Sequence, residues 1–494
     1  MNPKRLFTAP TLLAVVAVLA ACAASLDEQV AVAAPSAASW PVPWNNTQPP
    51  ADPGFTPPPF EPPSAEHCRR TPATREVPGG SRAQPALSGL LRKDAESAKR
   101  EAAADEVRSA APAGKAMAPP AAEASALNRL AATAAAPQPQ AVLPVAPVVT
   151  AGVVDDNADF GEYLAYRQRN ASVQPVRERD ISERYLLEVT DANGRPVHDA
   201  EVAVQRVNVT EPAMWARTDT AGRVWLHPRA FIAPGFEAER VLGVAVRKGG
   251  AQARAVLMRG QAQAVQVRLA AASLAQRPRL DLVFMIDATG SMGDEINKLK
   301  ASMRAMADQI AQLPGQPDIC YGLVAYRDRG DAFITRTHDF TNDLAAFQNQ
   351  LARVHAQGGG DTPEALNEAL HEVVHALSWR ADAARMVVLV ADAPPHLDYG
   401  GPQYDTDMQA ALAKGIKLFA VGASGLDPVG EYIFRQIAQY TAGRFVFLTY
   451  KNAAEPGSGP GTQTVHDVKN YSVQTLDRLV VRLVGEEMAR LMRS

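Results

Sequence analysis

Cysteine is scarce in this sequence: three residues in 494, at positions 22, 68 and 320. So few, so far apart, exclude a disulfide framework and offer no set with zinc-ligand spacing. Cys68 falls in a low-complexity stretch. Cys320 falls in an apolar, strand-like run, and reads as a small buried hydrophobe. Charge of one sign is also missing, with Lys+Arg 50 against Asp+Glu 53. A nucleic-acid binder usually shows a basic excess on some domain, so nucleic acid is not an expected partner. No apolar run reaches the ~20 residues that a membrane-spanning helix needs.

One shorter apolar run is present. It spans Thr11 to Ala21 and follows Lys4 and Arg5, which is the layout of an export signal over residues 1–21. It ends in Leu19-Ala20-Ala21-Cys22. That tetrapeptide resembles the lipobox of bacterial lipoproteins, which implies that Cys22 is acylated and becomes the mature N-terminus. Several acyl chains anchor stably where one is marginal. Ala23 stands where Asp would favour inner-membrane retention, so the resemblance implies an outer-membrane lipoprotein facing periplasm or surface.

Residues 22–155 are dominated by Ala and Pro, in the style of Trp40-Pro41-Val42-Pro43-Trp44. Such composition cannot bury enough apolar surface to offset its ordering entropy, so a disordered tether is expected. From 156 the texture changes. A lead-in around Phe160-Gly161-Glu162-Tyr163-Leu164 precedes several short strands. Asp191-Ala192-Asn193-Gly194 is a turn signal, and Tyr185–Val189 with Glu201–Gln205 reads as the hairpin around it. Val189-Thr190-Asp191-x-Asn193-Gly194-x-Pro196-Val197-x-x-Ala200-x-Val202 resembles carboxypeptidase-regulatory or transthyretin-like Ig-type modules. The resemblance implies a small β-sandwich over 156–272, a spacer or binding surface without catalytic groups.

Residues 279–494 alternate strand and helix. Asp281–Ile286 is a continuous apolar run after its first residue, as in a strand covered on both faces. The last helix carries Leu476, Leu479, Val480, Leu483, Val484, Met488 and Leu491 on one side. The expected fold is α/β and doubly wound, Rossmann-like, with ligands at the C-terminal ends of its strands.

Three loops at such ends carry the chemistry: Asp287-Ala288-Thr289-Gly290-Ser291, Gly358-Gly359-Gly360-Asp361-Thr362-Pro363-Glu364, and Ala391-Asp392-Ala393-Pro394-Pro395-His396. Any one is ordinary strand-to-helix turn chemistry. Together, in order, they resemble the metal-ion-dependent adhesion site of von Willebrand factor type A (VWFA) domains. That resemblance implies Mg²⁺ or Mn²⁺, held directly by Thr289, Ser291 and Thr362. Asp287 and Asp392 would act mainly through bound water. Six oxygens around a hard cation suit this donor set. One position is left for a carboxylate from an unknown protein partner.

A rival signal is His371-Glu372-Val373-Val374-His375. It matches the H-E-x-x-H of zinc peptidases, with both imidazoles on one side of a helix. No third ligand follows at family spacing, and the pair reads as lying on the helix flank, away from the core. No Gly-Lys-Ser/Thr phosphate loop or G-x-S-x-G elbow occurs. The expectation is therefore a non-enzymatic, metal-dependent binding or scaffolding module at the cell envelope. The alternative is a metal-dependent hydrolase built on His371, Glu372 and His375.

Overall fold

The structure, a computed structural model, describes residues 59–61, 68–80, 148–206, 209, 212–231, 239–270, 277–360, 362–398 and 400–493. The export signal and Cys22 lie outside these residues, as do Trp40 and Trp44. Among the described residues no helix is long and apolar enough to cross a membrane.

Two pieces of the expected tether are structured. Strand β1 (Thr74–Val77) pairs antiparallel with residues Thr335–His338. Cys68, just before it, is disulfide-bonded to Cys320 with a Cα–Cα separation of 5.8 Å. The reading of two separate, unbonded cysteines is therefore corrected. The bond joins positions 252 residues apart, beyond any local spacing rule. Strand β2 (Thr150–Val154) lies between Phe445–Thr449 and Ser472–Thr475. Both strands add backbone partners where a sheet would otherwise end in unpaired N–H and C=O groups. Helix α1 (Phe160–Arg169) is capped by Asp159, whose side chain accepts the Glu162 N–H at 3.3 Å. Its Tyr166 ring packs against Tyr432 and under the Arg435 guanidinium. The lead-in thus serves the α/β half, not only the β module.

Seven strands follow: β3 (Tyr185–Thr190), β4 (Glu201–Arg206), β5 (Pro212–Arg217), β6 (Arg223–Leu226), β7 (Val241–Lys248), β8 (Ala251–Met258) and β9 (Val265–Arg268). They form two sheets, in orders β6-β3-β9 and β5-β4-β7-β8. Val189 and Leu187 of one share a core with Val202, Val204, Val244 and Val246 of the other. The Asn193-Gly194 turn forms as the residues dictate: Asp191 Oδ1 accepts the N–H of Asn193 (2.8 Å) and Arg195 (2.9 Å), and Gly194 takes φ 80°. Yet β3 and β4 do not pair. The chain crosses from one sheet to the other, so the hairpin expectation fails although its turn is present.

The remaining elements build one large sheet. They are β10 (Arg279–Asp287), α2 (Gly293–Ile310), β11 (Asp318–Tyr326), β12 (Thr335–Thr341), α3 (Leu344–Ala352), α4 (Leu366–His371), β13 (Ala383–Ala391), α5 (Tyr404–Ala413), β14 (Ile416–Gly422), α6 (Pro428–Tyr440), β15 (Phe445–Thr449), β16 (Ser472–Thr475) and α7 (Leu476–Leu491). The order is β1-β12-β11-β10-β13-β14-β15-β2-β16, parallel from β11 to β15. Side chains of β10 alternate between two cores. Val283 and Met285 meet α4, α5 and α6; Leu282, Phe284 and Ile286 meet α2, α3 and α7. Helices cover both faces, which requires strands apolar at nearly every position. Asp281 breaks that rule and is fully buried. Its carboxylate accepts the Arg380 backbone N–H and Nε, each at 2.7 Å.

The chain leaves β10 for β11 on one side and later returns to β13 on the other. Strand order reverses at this point, which is where open α/β sheets ordinarily bind their ligands.

Candidate metal centre

Asp287 is the last residue of β10. Its Oδ1 accepts the Thr289 N–H at 2.9 Å and the Thr289 hydroxyl at 2.6 Å. This folds the loop back over the strand end. Thr289 Oγ1 lies 3.1 Å from Ser291 Oγ, and Ser291 Oγ donates to Asp392 Oδ1 at 3.1 Å. Two strands and one loop thus bring four of the five expected ligands into one chain of contacts. Asp287 and Thr289 are fully buried and Asp392 nearly so, while Ser291 is exposed. The site has a buried floor and an open rim.

Thr362 is exposed on the neighbouring loop. Among the described residues it shares no hydrogen bond with the other four. The loop is fixed on both sides of it. Gly359 N–H donates to Asp331 Oδ2 at 2.8 Å, and Glu364 N–H to the Pro394 carbonyl at 3.0 Å. Gly358 has φ 78°, and a Cβ there would meet the Asp331 carboxylate at 2.4 Å. Only glycine allows this approach. The loop is also laced to the first one, with Gly290 N–H to the Gly358 carbonyl at 2.9 Å.

The electrostatics call for a cation. Burial, reinforced by the Asp392 charge, pushes the Asp287 carboxyl up to about 7. Glu364 is pushed up to about 9 by burial and then by Asp287, Asp328, Asp331 and Asp392. Oδ2 of Asp287 and Oε2 of Glu364 are buried without a well-formed hydrogen bond, and the Tyr326 hydroxyl close to Asp287 makes none either. Unpaired buried carboxylate oxygens are costly. A hard divalent cation with oxygen ligands relieves that cost, so the residues present fit one.

Residues 281–455 match the family model described as von Willebrand factor type A domain. This part of the chain is a VWFA domain. A 119-residue stretch is 29% identical to "Alpha-protein kinase vwkA" of Dictyostelium discoideum, covering 24% of this chain and 19% of that one. A 93-residue stretch is 40% identical to human "von Willebrand factor A domain-containing protein 7", covering 19% and 10%. The chain thus spans a fifth or less of these curated relatives. Among solved structures, a von Willebrand factor type A protein from Catenulispora acidiphila aligns at 14% identity and TM-score 0.28, covering 60% of this chain and 51% of its own.

The VWFA domain also holds the rival motif, and the structure changes its reading. His371 ends α4, and a π-helical turn, Glu372–Ala376, carries His375. Neither imidazole is on a solvated flank. Their side chains are 7% and 9% exposed, and both are bonded to Asp407 of α5. Because α5 packs over α4, the side that looked free in a single-helix projection is covered. Glu372 points elsewhere: its Oε2 accepts Arg75 Nη2 of β1 at 2.7 Å. The would-be general base is committed to an ion pair, and no peptidase site is assembled.

Sequence reasoning missed Glu364, Asp328 and Asp331. Glu364 stood in the quoted loop, and an acid beside the proposed ligand Thr362 was the available signal. His396 donates its backbone N–H to the Glu364 carbonyl at 3.1 Å, with Nδ1 3.0 Å from Asp398 and Nε2 3.4 Å from Asp328.

Proposed function

We propose that this protein is a non-enzymatic, divalent-metal-dependent protein-binding module tethered to the bacterial cell envelope. The observation that carries the reading is the buried, under-bonded Asp287 beneath the exposed Ser291 rim. Asp287, Thr289, Ser291, Thr362 and Asp392 would hold Mg²⁺ or Mn²⁺, with Glu364 close by. When bound, the cation supplies an electrophilic position for a partner's carboxylate. The chain's own part is to keep the floor dry, to orient the hydroxyls through Asp287 and Asp392, and to leave the rim open.

Envelope location rests on the export signal, on Cys22 in its lipobox-like setting, and on the Cys68–Cys320 bond. Such bonds persist in oxidising compartments. The two-sheet β unit, with its transthyretin-like sequence run, would serve as a rigid spacer. The test is capture of partners from envelope extract by wild type and Asp287→Ala. Capture should need Mg²⁺, fail in EDTA, return on adding Mg²⁺, and be absent with the variant. Metal-independent capture that persists in Asp287→Ala would overturn the reading. In parallel, Cys22→Ser should move the protein to the soluble fraction; unchanged fractionation removes the anchor.

A further inference from the structure

The His371–His375–Asp407 cluster has no part in the function proposed above. His371 Nδ1 lies 3.2 Å from both carboxylate oxygens of Asp407, and His375 Nε2 lies 3.0 Å from Oδ1. The three donor atoms fall within 4.8 Å of one another, and Asp407 is fully buried. Ligands bound at ~2.05 Å in a tetrahedron stand roughly 3.3 Å apart, which is the order of these separations. Two imidazoles and a carboxylate make a borderline donor set that favours zinc over magnesium.

The backbone is shaped for this meeting. The turn that presents His375 is π-helical. Such turns interrupt α-helices mainly as single units and are frequent at functional sites. The two rings lie side by side, tilted by 30° with centroids 4.3 Å apart, and His371 Nδ1 and His375 Nε2 reach the same carboxylate. Lys414, the nearby cation, donates instead to the Val374 carbonyl at 2.7 Å. Glu372 turns away from this cluster toward Arg75.

We propose that His371, His375 and Asp407 form a second divalent-cation site, zinc-binding and structural, that clamps the end of α4 to α5 behind the sheet. It is chemically and spatially separate from the Asp287 centre. The ligands come from 371–375 and from α5, and Asp287 and Asp392 come from the strand ends of β10 and β13. Zinc binding shifts the imidazole protons to the opposite ring nitrogens, since a ligating nitrogen must present its lone pair.

The test uses the exported, folded chain, stripped of metal, dialysed against Zn²⁺ or Co²⁺ and freed of excess. Wild type should retain one equivalent, and Asp287→Ala should retain it too. His371→Ala with His375→Ala should retain none. Zinc should raise the melting temperature of wild type and Asp287→Ala but not of the double variant. Should the double variant fold poorly, Co²⁺-loaded wild type decides: a ligand-field spectrum of tetrahedral, nitrogen-ligated Co²⁺ supports the site. An octahedral or absent spectrum overturns it. So does zinc lost on Asp287→Ala, or a wild type that retains no zinc, which leaves the cluster as a metal-free hydrogen-bonded triad. Failure here leaves the Mg²⁺ reading untouched, because that reading is scored on Asp287→Ala.

Discussion

Asp199, in the β module, grips Arg385 of β13 with both carboxylate oxygens, at 2.9 Å to Nη1 and 3.1 Å to Nη2. Both side chains are nearly inaccessible, Asp199 at 4% and Arg385 at 7% exposed. The Arg385 guanidinium also donates to the Arg380 and Lys414 carbonyls. Arg217 adds a second cation to Asp199 at 3.0 Å. The β module is therefore joined to the VWFA domain by a buried, forked ion pair and not by a linker alone.

Removing one partner of such a pair leaves an uncompensated buried charge. Asp199→Ala should destabilise the chain by about 3–5 kcal/mol in denaturant titration. Asp199→Asn should cost less, since it keeps the shape and one acceptor. The sign of the pH effect follows from the carboxyl. Its folded value is held well below the usual carboxylate range by Arg385 and Arg217, which outweigh burial. Its stabilisation is thus complete above the unfolded value of about 3.9 and is lost as pH falls toward the folded one. The gap between wild type and Asp199→Asn should be constant from pH 8 to 5 and narrow below about pH 4. A gap that widens in acid would refute the assignment.

The Cys68–Cys320 bond predicts that neither thiol reacts with an alkylating agent in the folded, unreduced chain. Mass spectrometry after reduction should show two further alkylations. The bond closes 252 residues. By loop entropy, its removal in Cys68→Ser with Cys320→Ser should cost roughly 2–5 kcal/mol. The loss should appear first as release of β1, an edge strand whose one strand neighbour among the described residues is β12. Protease should then cut within residues 68–80, and wild type should resist there. Equal cutting in both would show that the bond does not secure the strand.

What was legible in the sequence was local. Asp287, Thr289 and Ser291 follow an apolar strand and open a helix, so their meeting is set by a few backbone angles. Asp392 at the end of β13 was equally readable once parallel pairing was assumed. The Asn193-Gly194 turn was readable as a turn. Its sheet partner was not, because a hairpin and a sheet crossing use the same turn residues. Contacts between distant segments were hidden for the same reason. Nothing near Cys68 announces β1, since Thr74–Val77 is four residues in a Pro-rich region. Asp407 sits inside a short helix, where an acid ordinarily faces water. Its burial against two histidines comes only from how α5 lies on α4.

Asp287 yields a prediction for the metal-free protein. Burial and Asp392 raise its carboxyl to about 7. A raised carboxyl stabilises fully below the unfolded value of about 3.9, and that stability is lost as pH rises through the folded one. Asp287→Asn removes the charge but keeps an acceptor for Thr289. In EDTA the variant should be more stable than wild type at pH 8. The advantage should shrink by roughly 2–3 kcal/mol at pH 5, where the wild-type group is mostly protonated. A variant less stable than wild type at pH 8 would mean that the Thr289 contacts outweigh the repulsion.

The same carboxylates set how metal binding depends on pH. A proton and a cation compete for Asp287, and Glu364 is pushed up to about 9 beside it. Calorimetry with Mg²⁺ or Mn²⁺ should therefore show affinity falling as pH drops from 8 to 6, with proton release on binding. Wild type should gain melting temperature with metal at pH 8, because the ligand binds only the folded state. Asp287→Ala should lose the gain. Glu364→Gln should keep it while releasing fewer protons, since one raised carboxyl is gone. Thr362→Ala separates a loop ligand from a bystander. If Thr362 swings in to bind, its loss weakens affinity about tenfold or more, the cost of one good ligand contact of roughly 1.4 kcal/mol. An unchanged affinity leaves the centre to Asp287, Thr289, Ser291 and Asp392, and moves the loop's contribution to Glu364.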